Sequence, residues 1–436
     1  MSFTSRRLRT CISVALVAGL ALSASACSKK DDDASSGDGT TTVVLQYFGT
    51  PGFEDAVTAF QAANPKIKVD VQNMGQLKDF EPKLAQWLAA KSGAGDVVML
   101  EEGTLLGYLQ DSANFADLLK LGAADLKADY LPYKWDGAFT ADKKKLVGLG
   151  TDIGGLALCY RTDLFAAAGL PTARADVSAK VKTWTDYEAL GKQFAASPAG
   201  KNAKWLDSAT SIMQPYIMQN SDTWFYNREN KFIGDSNPVV KQAWDFGLKL
   251  ADEGLTGKLA RWSTDWTAAF KNAAFATVPC PAWMTGVIKE NAGDAAKGKW
   301  DIATIPGGSG NWGGSYLAIP EQSTKKKQAF ELLKYLTGKD GEIAEYKKAG
   351  TMPSNIKALD DPAFKDSKNE YFNNAPTGQI FGDSVKTLKP IFLGPKHQKL
   401  WENVYEPQMQ AAEQGKSSSA DGWKKATEDG KKLAAG

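Results

Sequence analysis

The sequence predicts an α/β protein with parallel sheet, and three observations carry the prediction. Between residues 43 and 100, short apolar runs alternate with amphipathic stretches of helical period, the order strand, helix, strand, helix, strand that builds a parallel sheet with crossover helices. Strand-like apolar runs return near residues 148–160, 275–280, 300–305 and 315–319, so sheet is spread along the chain. The 436 residues, 43% hydrophobic and 23% charged, are a globular composition long enough for two or three domains.

The elements follow in order. Val43 to Phe48 is a buried-type strand, and residues 53–63 are a helix with Phe53, Val57 and Phe60 on one face, stopped at Asn64-Pro65. Ile67 to Val71 alternates as a second strand. Residues 79–92 form a helix with Leu84, Trp87 and Leu88 inward, and Asp96 to Leu100 is a third strand. In an open sheet, ligands meet the loops at the carboxyl ends of strands, which here begin at Phe48-Gly49-Thr50 and at Glu101-Glu102-Gly103. Gly148 to Tyr160 reads as a glycine-marked turn into an apolar strand, suited to a chain passing between lobes. Thr185-Asp186-Tyr187-Glu188 reads as a capping box opening a helix. A helical middle is expected over about 205–274, a helix over 324–337 closed by Gly338, and a polar, partly frayed end over 415–436.

The amino terminus reads as an address. Arg6, Arg7 and Arg9 precede an apolar run from Ile12 to Leu22 and the small residues Ser23-Ala24-Ser25-Ala26, the layout of a secretory signal over 1–26 that is too short to span a bilayer. Cys27 directly afterwards resembles a bacterial lipobox, in which the cysteine is lipidated and becomes the mature terminus; Ala24 stands where leucine is usual. Residues 28–42, SKKDDDASSGDGTTT, are expected to be a disordered tether reaching at most about 50 Å. No later run approaches a membrane span.

Composition excludes several functions. Beyond residue 26 the chain carries 49 basic and 50 acidic residues, which gives no electrostatic footprint for nucleic acid. A single histidine, His397, argues against a multi-histidine metal site and leaves no spare base for a Ser-His-Asp triad. Gly308 to Gly313 matches G-x-G-x-x-G but leads into a strand, and no P-loop is present. Nothing calls for a cofactor or a metal. Glu101-Glu102 is half of a glycosidase pair at most, since neighbours on a strand face opposite ways. Two cysteines remain in the mature body, Cys159 and Cys280, each in an apolar strand-like run. In an exported protein the pair is expected to form a disulfide, stabilising by roughly 4–5 kcal/mol through its long loop.

Aromatic residues crowd 224–312: Trp224, Trp262, Trp266, Trp283, Trp300 and Trp312. Most tryptophans are core, but several here flank Pro, Gly or polar residues. A flat ring at a loop edge suits a pyranose, which offers C–H faces to a platform and hydroxyls to Asp, Glu, Asn or Gln.

The mature chain resembles the family 1 extracellular solute-binding proteins, the sugar-binding lipoproteins of ABC importers, and within them actinobacterial oligosaccharide binders. The resemblance is carried by Phe53-Glu54 to Asn64-Pro65, Ile67-Lys68-Val69, GTDIGGLALCYRTDLFAAAGLP (150–171), Trp184-Thr185, AFATVPCPAWMTG (274–286), GGSYLAI, and Gly350-Thr351-Met352-Pro353. Cys159, Cys280 and Phe275 depart from the general pattern. The resemblance implies a two-lobed, type II periplasmic-binding-protein-like fold with ligand in the cleft. It places one lobe at 43–152 plus 313–350 and the other at 153–312 plus 351–436. Carried over residue by residue, Phe48, Thr50 and Glu101 or Glu102 supply loops after strands, Asp152 the first crossing, Trp283 a Gly-x-Trp position, and Gly314, Ser315 and Tyr316 the second crossing. Trp224, Trp262 and Trp266 join them on composition. Trp283 and one other aromatic are expected to stack the sugar, while Asp152 and Glu101 or Glu102 accept from hydroxyls.

The expected function is capture of an oligosaccharide by cleft closure and delivery to a membrane permease, without catalysis, by a monomer held at the outer face of the cell membrane by its lipid alone. The rivals are a secreted carbohydrate-active enzyme and a polyamine or cation receptor of the same fold.

Overall fold

Two sheets organise the chain in the computed structural model, which describes residues 39–436 apart from 387 and 389. The signal segment, Cys27 and most of the expected tether lie outside the described residues. The first sheet has order β2-β1-β3-β10-β4. Its strands are β1 (Thr41–Tyr47), β2 (Ile67–Asn73), β3 (Val97–Glu101), β4 (Gly148–Gly150) and β10 (Ser315–Ala318). β1 lies parallel to β2 and β3, while β10 runs antiparallel to β3 and β4. β1 thus begins two residues inside the stretch expected to be tether. Helices α1 (Phe53–Ala63) and α2 (Leu77–Ala90) are the crossovers; Phe53, Val57, Phe60, Leu84 and Leu88 are buried in one core with Val43, Leu45 and Val98. α2 stops at Lys91, which turns left-handed at φ 53°.

The second sheet has order β7-β8-β6-β9, from β7 (Lys204–Leu206), β8 (Phe275–Pro281), β6 (Leu156–Arg161) and β9 (Trp300–Ala303). β6 is antiparallel to both its neighbours. Every residue of β6 and β8 is buried, which is why both read as uninterrupted apolar runs. Cys159 on β6 and Cys280 on β8 are joined as a disulfide, with Cα atoms 5.4 Å apart.

The chain passes between the sheets three times: from β4 to β6 through β5 (Asp152–Ile153), from β9 to β10, and again near β11 (Met352–Pro353), which pairs with β5. The helix Lys339–Ala349 leads into that last passage.

Three expectations are corrected. The capping box is Thr183 with Asp186, whose side chain and backbone bond reciprocally, so the helix starts at Trp184, two residues before the predicted box allows. The span 205–274 is not one helical block. It holds β7, the helices Met213–Asn220, Pro238–Asp252 and Thr264–Lys271, and a long irregular stretch between the first two of these helices. The carboxyl end is not frayed: Ser419–Ala435 is a helix capped by Ser418, with Gly422, Ala426 and Gly430 buried.

Candidate functional site

The passages between sheets bring distant residues together at the carboxyl ends of the first sheet's parallel strands. Glu101 closes β3 opposite Ser315 of β10. Its carboxylate caps the next helix, α3 (Glu102–Gln110), by accepting from the Gly103 N–H at 2.5 Å. Glu102 is therefore the first residue of a helix rather than a strand neighbour. It turns the other way, accepting from buried Lys134 at 2.7 Å and from the Asn311 amide at 3.3 Å. The two carboxylates serve different surroundings, one facing the crevice and one tied into the framework.

A Cβ placed on Gly313 would lie 3.8 Å from Glu101 Oε1 and 3.8 Å from Trp283 Nε1, so a carboxyl at the end of β3 and an indole just past β8 both approach one glycine. Trp283, half-buried, donates its Nε1–H to the Trp312 carbonyl at 2.9 Å. Trp262 stacks on Trp283 with centroids 6.0 Å apart and planes 24° from parallel. It is 38% exposed, the one large indole that faces solvent, and sits at φ 64°, a left-handed turn unusual for a bulky residue. Its carbonyl accepts from the Gln76 amide at 3.5 Å, at the start of α2. Gln76 follows Gly75, whose carbonyl accepts from the Gly49 N–H, and so Phe48 and exposed Thr50 belong to the same rim.

Several residues that sequence reasoning did not place complete the crevice. The Arg261 guanidinium lies 4.0 Å from the Trp312 ring centroid and 5.7 Å from that of Trp262, a cation–π sandwich. Its Nε has no hydrogen-bond partner among the described residues. On the far side, the helical segment from His397 widens to a π turn over Trp401–Tyr405, a distortion often found at functional sites. It presents Gln398 beside Gly103 and donates from the Gln398 amide to Glu402 at 2.8 Å. Burial is the main reason the Glu101 carboxyl is pushed up to about 8, with Glu102 and Glu402 adding to it. Burial likewise raises Glu402, and takes Glu406 to about 7 against the pull of Arg261. His397 is packed between Trp224 and Phe225, and burial holds its imidazole down to about 3, neutral. Trp312 carried a loop-edge signal in sequence; Arg261, Gln398 and Glu402 carried none.

The remaining sequence candidates lie deeper. Trp224 and Trp266 are each 1% exposed. Trp224 belongs to the core under the carboxyl-terminal helices, and Trp266 backs Trp262 at 5.0 Å while donating to Asp207. Asp152 accepts from the Ser315 N–H and the Thr151 hydroxyl, the bonds of a hinge cap. Tyr316 is buried with the Lys134 ammonium 4.4 Å from its ring centroid. A Cβ on Gly314 would meet the Asp152 carbonyl at 2.7 Å, so this glycine admits a neighbouring strand rather than a ligand. Gly154 is tighter still, because a Cβ there would lie 1.8 Å from the Trp312 carbonyl oxygen. Among the described residues no cluster of His, Cys, Asp and Glu could hold a metal ion, and no helix is long and apolar enough to cross a membrane.

One exposed indole stacked on another, an arginine, amides, and the Glu101 carboxyl held up to about 8 by burial can both donate to and accept from a neutral polar guest. The family model for bacterial extracellular solute-binding proteins matches residues 55–372. A crystal structure of an extracellular solute-binding protein of family 1 is 37% identical, over 90% of this chain and 99% of that one, with a TM-score of 0.79. An ABC-transporter-associated binding protein of B. animalis subsp. lactis, in complex with β-1,6-galactobiose, is 24% identical over 91% and 98%, TM-score 0.77. Maltose-bound MalE3 of T. maritima is 18% identical over 90% and 99%, TM-score 0.71. No curated protein matches the chain.

Proposed function

The chain belongs to the bacterial extracellular solute-binding protein family, and from that premise we propose that it captures an oligosaccharide in the crevice between its lobes and hands it to the permease of a carbohydrate ABC importer. It has the two-lobed periplasmic-binding-protein fold. We assign residues 43–152 and 313–350 to one lobe and 153–312 and 351–436 to the other, with Asp152, Gly314 and Ser315 in the passages. Trp262 and Trp283 form the platform, and Glu101, Gln398 and Arg261 bond the hydroxyls. Phe48, Thr50 and Gln76 line the opposing rim.

One observation carries the reading: the stacked indoles of Trp262 and Trp283 stand beside Glu101 at Gly313. Galactobiose and maltose in two structural relatives support it. Affinity comes from closure, a shift of population toward the state in which both lobes touch the guest. The proposed protein releases its ligand unchanged. Cys27 is read as its lipidated terminus, which holds a monomer at the outer face of the cell membrane.

The row Glu101, Glu402 and Glu406 favours a second reading, a receptor for polyamines. Against it, the Arg261 guanidinium pulls on Glu406, and burial holds Glu101 largely neutral near pH 7. Thermal denaturation of the mature protein with a panel of oligosaccharides, and with spermidine, separates the two. An oligosaccharide at a hundred times its Kd is expected to stabilise by about 2.7 kcal/mol. A rise in Tm with spermidine and with none of the sugars overturns the assignment.

A further inference from the structure

A second hollow lies away from the crevice, between the helices Met284–Ala292 and Lys339–Ala349 and the loops of residues 363–377, with a volume of about 460 Å³. Its charge is out of keeping with the rest of the chain. Five lysines line it, Lys289, Lys297, Lys347, Lys348 and Lys368, against two carboxylates, Asp294 and Glu370. Lys297 pairs with Glu370 at 3.0 Å and Lys348 with Asp55 at 3.7 Å. Lys289, Lys347 and Lys368 are exposed and form no ion pair among the described residues.

Three hydroxyls in the wall bond to one another: Tyr346 Oη to Ser367 Oγ and to Thr377 Oγ1 at 2.6 Å, and Ser367 Oγ to Thr377 Oγ1 at 3.3 Å. The walls are drawn together by small residues: a Cβ on Gly286 would lie 2.5 Å from the Ala349 carbonyl, and one on Gly350 2.5 Å from Thr285 Oγ1. Helix ends alone account for Lys289, Lys347 and Lys348, since cations are favoured in a last turn. They do not account for Lys297 and Lys368, which come from two other segments to the same hollow. Five ammonium groups lining one hollow against two carboxylates give it a net positive charge, which a polyvalent anion balances.

We propose that this hollow binds a polyvalent phosphate anion, with Lys289, Lys347 and Lys368 as its principal contacts. Pyrophosphate is the probe, titrated calorimetrically into the mature protein against sodium chloride of equal ionic strength. Saturable heat with pyrophosphate and none with chloride is expected, weakening steeply as salt rises. Lys289→Gln, Lys347→Gln and Lys368→Gln together should weaken binding at least tenfold, with a Tm in the absence of anion no lower than that of the parent. Lys416→Gln with Lys424→Gln, both exposed and distant in sequence, should leave it unchanged. A second arm distinguishes the phosphate's source. Association with phosphatidylglycerol vesicles that pyrophosphate competes away assigns it to a lipid headgroup, and calorimetric binding without vesicle association assigns it to a soluble anion. Pyrophosphate that binds no better than chloride overturns the proposal, as does a triple variant that binds like the parent.

Discussion

Asp152 Oδ1 accepts the Ser315 backbone N–H at 2.8 Å across 163 residues of chain, and the backbone of Asp152 pairs with Pro353. One residue therefore touches all three passages between the lobes. Its carboxyl is buried, and that burial raises its proton affinity although Lys134, the Thr151 hydroxyl and the Ser315 N–H oppose the rise. Removing the side chain leaves a buried N–H without a partner, at a cost of about 1–3 kcal/mol. Asp152→Ala is expected to lose that much in urea denaturation, and Asp152→Asn, which keeps an acceptor, clearly less. Equal losses for the two would mean that the Ser315 bond carries no stability.

The indole pair separates binding from folding. Trp262 is exposed and Trp283 half-buried with a bond to the Trp312 carbonyl. Trp262→Ala should reduce oligosaccharide affinity at least tenfold, about 1.4 kcal/mol, while leaving the denaturation midpoint near that of the parent. Trp283→Ala should cost more affinity and also some stability, because it withdraws both the ring under Trp262 and the tie to the second passage. Calorimetry with the sugar identified by thermal shift checks both. Parental affinity in Trp262→Ala would remove it from the platform.

These residues also show what the sequence can and cannot reveal. The parallel part of the first sheet, β1 to β3, was legible from period alone, because its strands and helices alternate over residues 41–101 as local pattern, whereas the antiparallel β10 joins it from residues 315–318. The helix cap was misplaced because two Thr-x-x-acid patterns overlap. Glu188, the acid of the wrong one, is claimed by Lys192 and Lys249 at 2.6–2.8 Å, while Asp186 returns to Thr183. The last helix was read as partly frayed because its buried stripe is Gly422, Ala426 and Gly430, residues too small to give an apolar signal, yet small enough to let it sit against Tyr405 and Trp244. Among the residues proposed for the crevice, Trp283 and the alternatives Glu101 or Glu102 came from loop position and resemblance. Arg261 and Gln398 did not, since their relevance depends on segments more than a hundred residues apart converging.

Protonation in the crevice gives stability a pH slope. Burial takes Glu101 to about 8 and Glu406 to about 7, whereas the unfolded chain releases these protons near the ordinary 4.5. Between those values the folded state binds more protons than the unfolded one, so unfolding free energy falls as pH rises. The contribution is complete below about pH 4.5 and gone above about pH 8, with a slope of at most about 1.4 kcal/mol per pH unit for each group. Glu101→Gln should therefore show a shallower decline in stability from pH 5 to pH 8 than the parent. Parallel curves for the two proteins would mean that Glu101 is ionised in the fold.

The Cys159–Cys280 bridge makes the last prediction. The two residues stand diagonally on adjacent strands, Cys159 opposite Val278 and Cys280 opposite Ala157, and both are fully buried. β6 and β8 lie in the interior of a four-stranded sheet, hydrogen-bonded on both sides, so the folded state keeps these strands in place without a covalent link. The bridge acts chiefly on the unfolded chain, closing a loop of 121 residues, for which chain entropy gives about 4–5 kcal/mol. Cys159→Ala with Cys280→Ala should lose stability of that order in guanidinium denaturation and show a larger m-value, because the unlinked chain exposes more surface when it unfolds. The sheet's own hydrogen bonds should keep the double variant folded at 25 °C, with oligosaccharide affinity retained. A loss below about 1 kcal/mol with an unchanged m-value would mean that the unfolded protein is already compact across this loop, and that the bridge constrains little.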